Sequence, residues 1–171
     1  MTSSGTGTFA NVNTLTPIYT PSAADIAAGS VTLTLTATGN SPCGDATSTM
    51  VLTIVPAPIA DAGIDADICD GSTYTLSGTS ASNNTGVSWT SSGTGTFANG
   101  NTLTPIYTPS AADIAAGSVT LTLTATGNSP CGDATSTMVL TIVPAAIADA
   151  GIDADICEGS TYTLSVTSAS N

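Results

Sequence analysis

Lysine, arginine, histidine and glutamine are all absent from this 171-residue chain, which carries twelve acidic side chains and a formal net charge of −12. Each missing type excludes something. Affinity for a nucleic-acid backbone comes from displacing its counterions with Lys and Arg, so nucleic acid is excluded as a partner. An anionic membrane surface is a poor partner for the same reason. Without His, Lys or Arg there is no nucleophile–base pair and no cationic clamp, and only carboxylates remain to act as acid and base. A glycosidase mechanism needs two of them facing a cleft, whereas these Asp residues stand on turns. The chain is therefore read as non-enzymatic. Staples between Lys and Asn or between Thr and Gln are excluded with their missing partners.

Long apolar runs are missing too. None approaches the length of a membrane span, so membrane insertion is not expected. Met1 is followed by Thr2 and Ser3 rather than by a basic and then apolar leader, which places any export signal outside these residues. Aromatic residues are scarce while Thr, Ser, Ala and Gly dominate, a composition close to that of disordered chains. The patterning argues otherwise. From Val119 to Thr126 apolar residues alternate with threonine, placing Val119, Leu121, Leu123 and Ala125 on one face and Thr120, Thr122, Thr124 and Thr126 on the other. That period of two is the signature of a half-buried strand.

The same octet stands earlier, as Val31 to Thr38, because the chain is a repeat. Residues 2–83 and 90–171 differ at four places, Val12/Gly100, Pro58/Ala146, Asp70/Glu158 and Gly78/Val166, giving a period of 88 residues. This unit is too long for a solenoid turn and suits a small domain. Proline ends the last strand at Ile54-Val55-Pro56 and Ile142-Val143-Pro144, where it cannot supply a ladder donor. One complete domain is expected over 58–145, with 1–57 the later strands of a first repeat and 146–171 the opening strands of a further one.

Within the complete unit, Ala60 to Ile68 reads as a strand broken at Gly63, followed by a turn at Asp70-Gly71-Ser72. Tyr74 and Leu76 share one face of a second strand, Ala81 to Gly86 reads as a loop, and Val87 and Trp89 point inward. A glycine-rich turn, Ser92 to Thr96, leads to Phe97. A short strand over Asn101 to Tyr107 carries Leu103 into the core. Pro109 to Gly117 makes one helical turn, capped by Ser110 and ended by Gly117. Met138, Leu140 and Ile142 face the core from the last strand. About seven short strands with turn signals at this spacing predict an all-β fold, a β-sandwich in each repeat.

Ala62 to Leu76, Trp89 to Phe97, Tyr107 to Gly117 and the Val119 strand together resemble the PKD-like, immunoglobulin-like repeats of very large secreted bacterial surface proteins, including gliding-motility adhesins. The resemblance covers the whole repeat. It implies an extracellular, cell-surface or filamentous location and a role as stalk or spacer in adhesion, with no catalytic site. The chain departs from the family's Trp-Asp-Phe-Gly-Asp-Gly segment, since Trp89 is followed by Thr90-Ser91-Ser92-Gly93.

Each full unit has two cysteines, with neither C-x-x-C spacing nor histidine for a zinc site. In a small exported domain a structural disulfide from Cys69 to Cys131 is the leading expectation, adding roughly 2–4 kcal/mol to a thin core. Two buried thiols, or links between neighbouring domains from Cys43 to Cys69 and Cys131 to Cys157, are the alternatives. Partners are expected to be further copies of the chain. Residues 146–171 of one copy would complete residues 1–57 of the next by strand donation, with Cys157 meeting Cys43. Head-to-tail contact that does not close gives a fibre.

Asp61, Asp65, Asp67 and Asp70 recur as Asp149, Asp153, Asp155 and Glu158 beside the domain junction. Oxygen ligands on an irregular segment suit calcium, although the spacing is not that of an EF-hand and solvated carboxylates are the simpler reading. The rival function is a glycan- or protein-binding module using the loops 81–86 and 92–96. Asn83-Asn84-Thr85 fits a glycosylation sequon, a short pattern that arises readily in so polar a chain.

Overall fold

The computed structural model describes residues 1–163 and 168–170. The fold is all-β, and the helices among these residues are two six-residue turns. Among the described residues no helix is long and apolar enough to cross a membrane. Two compact units divide the chain. The first is Met1–Pro58 with Asn83–Thr85 and Thr126–Ala134, and the second is Ile59–Ser82, Gly86–Ala125 and Thr135–Asn171. Residues 164–167 and 171, in the expected opening strands of a further repeat, lie outside the described residues.

The first unit holds β1 (Thr2–Ser3), β2 (Thr8–Ala10), β3 (Ile18–Thr20), α1 (Ala23–Ala28), β4 (Ser30–Ala37) and β5 (Ala46–Thr53). β1, β4 and β5 form an antiparallel sheet in that order, and β2 pairs with β3. Then come β6 (Ile59–Asp61), β7 (Ala66–Cys69), β8 (Tyr74–Thr75), β9 (Ser80–Ser82), β10 (Asn84–Ser91), β11 (Thr96–Ala98) and β12 (Ile106–Thr108). They are followed by α2 (Ala111–Ala116), β13 (Ser118–Gly127), β14 (Ala134–Val143), β15 (Ile147–Asp149) and β16 (Ser168–Ser170). Their sheets run β10-β13-β14-β7 and β11-β12-β8, with the ladders β6-β9 and β15-β16.

The alternating octet does what its period requires. In β13, Val119, Leu121, Leu123 and Ala125 are buried while the intervening threonines are more exposed. Met138, Leu140 and Ile142 answer from β14, and Leu76, Trp89 and Tyr107 complete the cluster, with Val87, Phe97 and Leu103 packed against it. The Phe97 and Tyr107 rings lie tilted at 4.9 Å between centroids, an arrangement that adds to area burial. The Trp89 indole N–H donates to the Thr102 carbonyl at 3.1 Å, so the single tryptophan buries its ring without stranding its donor.

The opening strand is broken as expected, and its halves join different sheets. β6 pairs antiparallel with β9, whereas β7 runs parallel to β14. The break at Ala62 to Asp65 is held by two side chains: Ser136 Oγ accepts from Ala62 N–H at 3.1 Å, and Asp65 Oδ1 accepts from Val139 N–H at 2.7 Å. Two expectations are corrected. Ala81 to Gly86 is not an open loop but the end of β9 and the start of β10, turned at Asn83 in the left-handed region (φ 56°), which asparagine tolerates. Of the strand expected over Asn101 to Tyr107, only Ile106 and Tyr107 are extended in β12, because Asn99 to Thr102 closes a turn through Thr102 N–H to Asn99 O.

Candidate functional site

Two places concentrate interactions beyond ordinary packing. The first is Asp113, the third residue of α2. Ser110 caps the helix by accepting from Asp113 N–H, and the Asp113 carboxylate reaches back to Ser110 N–H, a capping box. The same carboxylate accepts from Thr94 N–H at 3.0 Å, Gly95 N–H at 2.9 Å and the Tyr107 hydroxyl at 2.7 Å. Burial pushes its pKa up, but the donors from Ser110, Tyr107 and Thr94 together outweigh that, and the group settles at about 2. Burial and the neighbouring carboxylate push the Tyr107 hydroxyl upward. The glycine-rich turn is thus tied to the helix with no cation involved. Its amides at Thr94 and Gly95 already have acceptors, so this stretch does not offer them to a ligand.

Gly93 is required at this spot, since a Cβ there would collide with the Asp113 carboxylate. The equivalent Asp25 in the first unit accepts from Thr6 N–H, Ser22 N–H and Tyr19, which hold its carboxyl far below the usual range. Sequence reasoning named the cap Ser110 and missed Asp113. Its signal was present: a capping box places an acidic residue three positions after the cap serine.

The second place is the outer edge of the last strand. β7 occupies it in the second unit, Leu140 opposite Ala66, Thr141 opposite Asp67, Ile142 opposite Ile68 and Val143 opposite Cys69. In the first unit the equivalent strand β5 pairs with β4 on one side, and among the described residues no strand lies on the other. Identical residues also differ in burial, because the cluster that covers one set contains Ala62, Leu76 and Trp89. Leu123 and Met138 are sealed, whereas their counterparts Leu35 and Met50 are 46% and 56% exposed. A cavity of about 210 Å³ opens beside them, lined by Met1, Leu33, Leu35, Ser48, Thr49 and Met50.

No family model matches the chain, and a search of curated proteins finds no match either. Its residues must therefore carry the reading themselves.

All four cysteines are free thiols, with Cys43, Cys69 and Cys157 exposed and Cys131 partly buried. The expected link from Cys69 to Cys131 within one chain is not made, for a geometric reason. Cys69 stands opposite Val143, the last residue of β14, while Cys131 precedes Ala134, the first. Ten residues of strand span roughly 30 Å, and a disulfide needs Cα atoms within about 7 Å. Cys131 instead belongs to the first unit, where its thiol donates to the Val55 carbonyl at 3.4 Å. Close by, the Asn83 amide donates to the Ala57 carbonyl at 3.1 Å.

The acidic residues do not gather. Among the described residues no three His, Cys, Asp or Glu side chains come together in a way that would hold a metal ion. Asp61 Oδ1 accepts from Gly63 N–H at 2.9 Å, Asp65 is committed to Val139, and Asp67 and Asp70 are exposed on and just after β7. Asp149 Oδ1 accepts from Gly151 N–H at 2.8 Å, and Asp153, Asp155 and Glu158 are exposed. Spread over β7, β15 and the turns around them, these carboxylates engage separate neighbours or face solvent.

Proposed function

We propose that this chain is a non-enzymatic structural module of an extracellular bacterial surface protein, built from tandem immunoglobulin-like, PKD-like β-sandwiches and acting as a stalk or fibre in adhesion. Copies join head to tail by strand complementation. One observation carries the reading: the same strand sequence has neighbouring strands on both sides in one unit and, among the described residues, on one side alone in the other. An open strand edge beside half-exposed leucine and methionine is a template for another chain. A heterologous contact of this kind that does not close propagates into a filament.

The composition supports the same role. A surface with acidic side chains and no basic ones suits a solvated, repeated element better than a catalytic or nucleic-acid-binding one. The glycan-binding rival draws no support from the loops. Residues 81–86 are mostly strand, and the turn at 92–96 has its amides at Thr94 and Gly95 taken. Sedimentation velocity and negative-stain microscopy across a concentration series test the proposal. Concentration-dependent growth into unbranched fibres is the expected result. A monomer at every concentration would overturn it.

A further inference from the structure

Head-to-tail joining leaves open which strand meets which edge and which thiols come together. In the second unit, Val143 faces Cys69, and the Asp70 N–H next along the chain donates to the Val143 carbonyl at 2.8 Å. The identical segment Leu52 to Val55 has no such neighbour among the described residues, and β5 stops at Thr53. The two residues by which it falls short, Ile54 and Val55, are counterparts of Ile142 and Val143, which β7 holds in place. On their other side nothing has changed. Ile54 N–H donates to Gly29 O at 2.9 Å, as Ile142 N–H donates to Gly117 O at 2.8 Å. Among the described residues, the parallel strand beside them is wanting. Its sequence, Ala66-Asp67-Ile68-Cys69, stands again as Ala154-Asp155-Ile156-Cys157, a segment that is exposed and forms no strand.

Resting on the head-to-tail reading, we infer that Ala154 to Cys157 of one copy adds as a parallel strand to β5 of a second copy. Ala154 lies opposite Leu52 and Cys157 opposite Val55, and Cys157 is joined there by a disulfide to Cys131 of the second copy. The thiol is already in position, since Cys131 Sγ sits on the Val55 carbonyl. In the added strand Glu158 takes the place of Asp70 and donates its N–H to that same oxygen. The carbonyl keeps a donor when Cys131 loses its proton.

The period of 88 residues assigns the remaining pair. Cys43 is the counterpart of Cys131, and its turn is closed by the same bond, Cys43 N–H to Asn40 O at 2.7 Å, as Cys131 N–H to Asn128 O at 2.7 Å. Cys43 of the second copy therefore arrives at Val143 of the first, where Cys69 already stands. Both bonds run between copies, Cys157 to Cys131 and Cys69 to Cys43. Neither Cys69 with Cys131 in one chain nor Cys157 with Cys43 is formed. In each bond two thiols release two protons and two electrons as the S–S bond closes. A small-molecule disulfide accepts both and departs as two thiols.

The test is peptide mapping of the full chain assembled with oxidised glutathione. Trypsin has no site in this sequence, but cleavage before aspartate puts the four cysteines on four different peptides, beginning at Asp25, Asp67, Asp113 and Asp155. The expected cross-links are the Asp155 peptide with the Asp113 peptide and the Asp67 peptide with the Asp25 peptide, with a ladder on a non-reducing gel that collapses with reductant. A C69S/C157S double variant should lose the ladder and still form fibres, because the added strand is held by main-chain hydrogen bonds. Fibres carrying Cys157–Cys43 or Cys69–Cys131 links would overturn the register and leave the fibre reading standing. Absence of both fibres and ladder would overturn the two together.

Discussion

At the residue scale the molecule's most constrained group is Asp113, whose two oxygens serve four donors from three separated stretches of chain. D113N keeps the shape but turns one oxygen into a donor, so at least one N–H of the glycine-rich turn faces another N–H. A loss of about 1–3 kcal/mol is expected, the cost of a buried donor left unmade, measured by urea unfolding of the variant against the parent. The same carboxylate sets an acid limit. Its folded pKa lies near 2, below the ordinary 3.8, so its stabilising effect is fully present above pH 3.8 and is lost as pH falls toward 2. Unfolding midpoints followed over that window should drop more steeply for the parent than for D113N. Equal slopes would show that Asp113 does not carry the acid sensitivity. The helix caps Ser110 and Gly117 were legible in the sequence because capping is local chemistry. The approach of Tyr107, Thr94 and Gly95 was not, since it depends on β11, β12 and α2 meeting in space.

At the element scale, one strand sequence in two settings separates what a strand encodes from what its neighbours supply. Alternation chose the buried face of β4 and β13 alike, and Val31 and Leu33 are buried just as Val119 and Leu121 are. The strand's length came from its partner, since β14 runs two residues further than β5 at its C-terminal end, where β7 lies beside it. That is why periodicity read the core around β13 and β14 correctly, while the Cys69–Cys131 pairing, drawn from cysteine usage in small exported domains, joined opposite ends of β14. Alternation says which face a residue takes and is silent on whether its neighbour runs parallel or antiparallel. A proline placed in the donating segment tests the element directly. I156P removes a main-chain donor from an exposed stretch that belongs to no strand in the single chain. Fibres should disappear from micrographs while the far-ultraviolet circular dichroism of the dilute chain stays unchanged. Fibres that survive I156P would place the joint elsewhere.

At the scale of the whole molecule, assembly sets apolar gain against charge. Covering the half-exposed Leu35 and Met50 would gain on the order of 1 kcal/mol apiece, beside the main-chain hydrogen bonds of a strand added at Leu52 to Val55. Against this, every copy carries a formal charge of −12 with no basic side chain to pair across the joint. The donated strand brings Asp155, with Asp153 and Glu158 at its flanks. Such repulsion between exposed charges is screened over about 10 Å at 0.1 M salt and about 3 Å at 1 M. Raising sodium chloride from 0.1 M toward 1 M should therefore lower the concentration at which light scattering first reports fibres. Because the acidic side chains do not converge on a metal site among the described residues, calcium is expected to act through ionic strength alone. Calcium chloride and sodium chloride at matched ionic strength should give the same onset, with no added effect of a chelator. An onset shifted tenfold by micromolar calcium would mean that carboxylates from two copies form at the joint a site that neither chain holds alone.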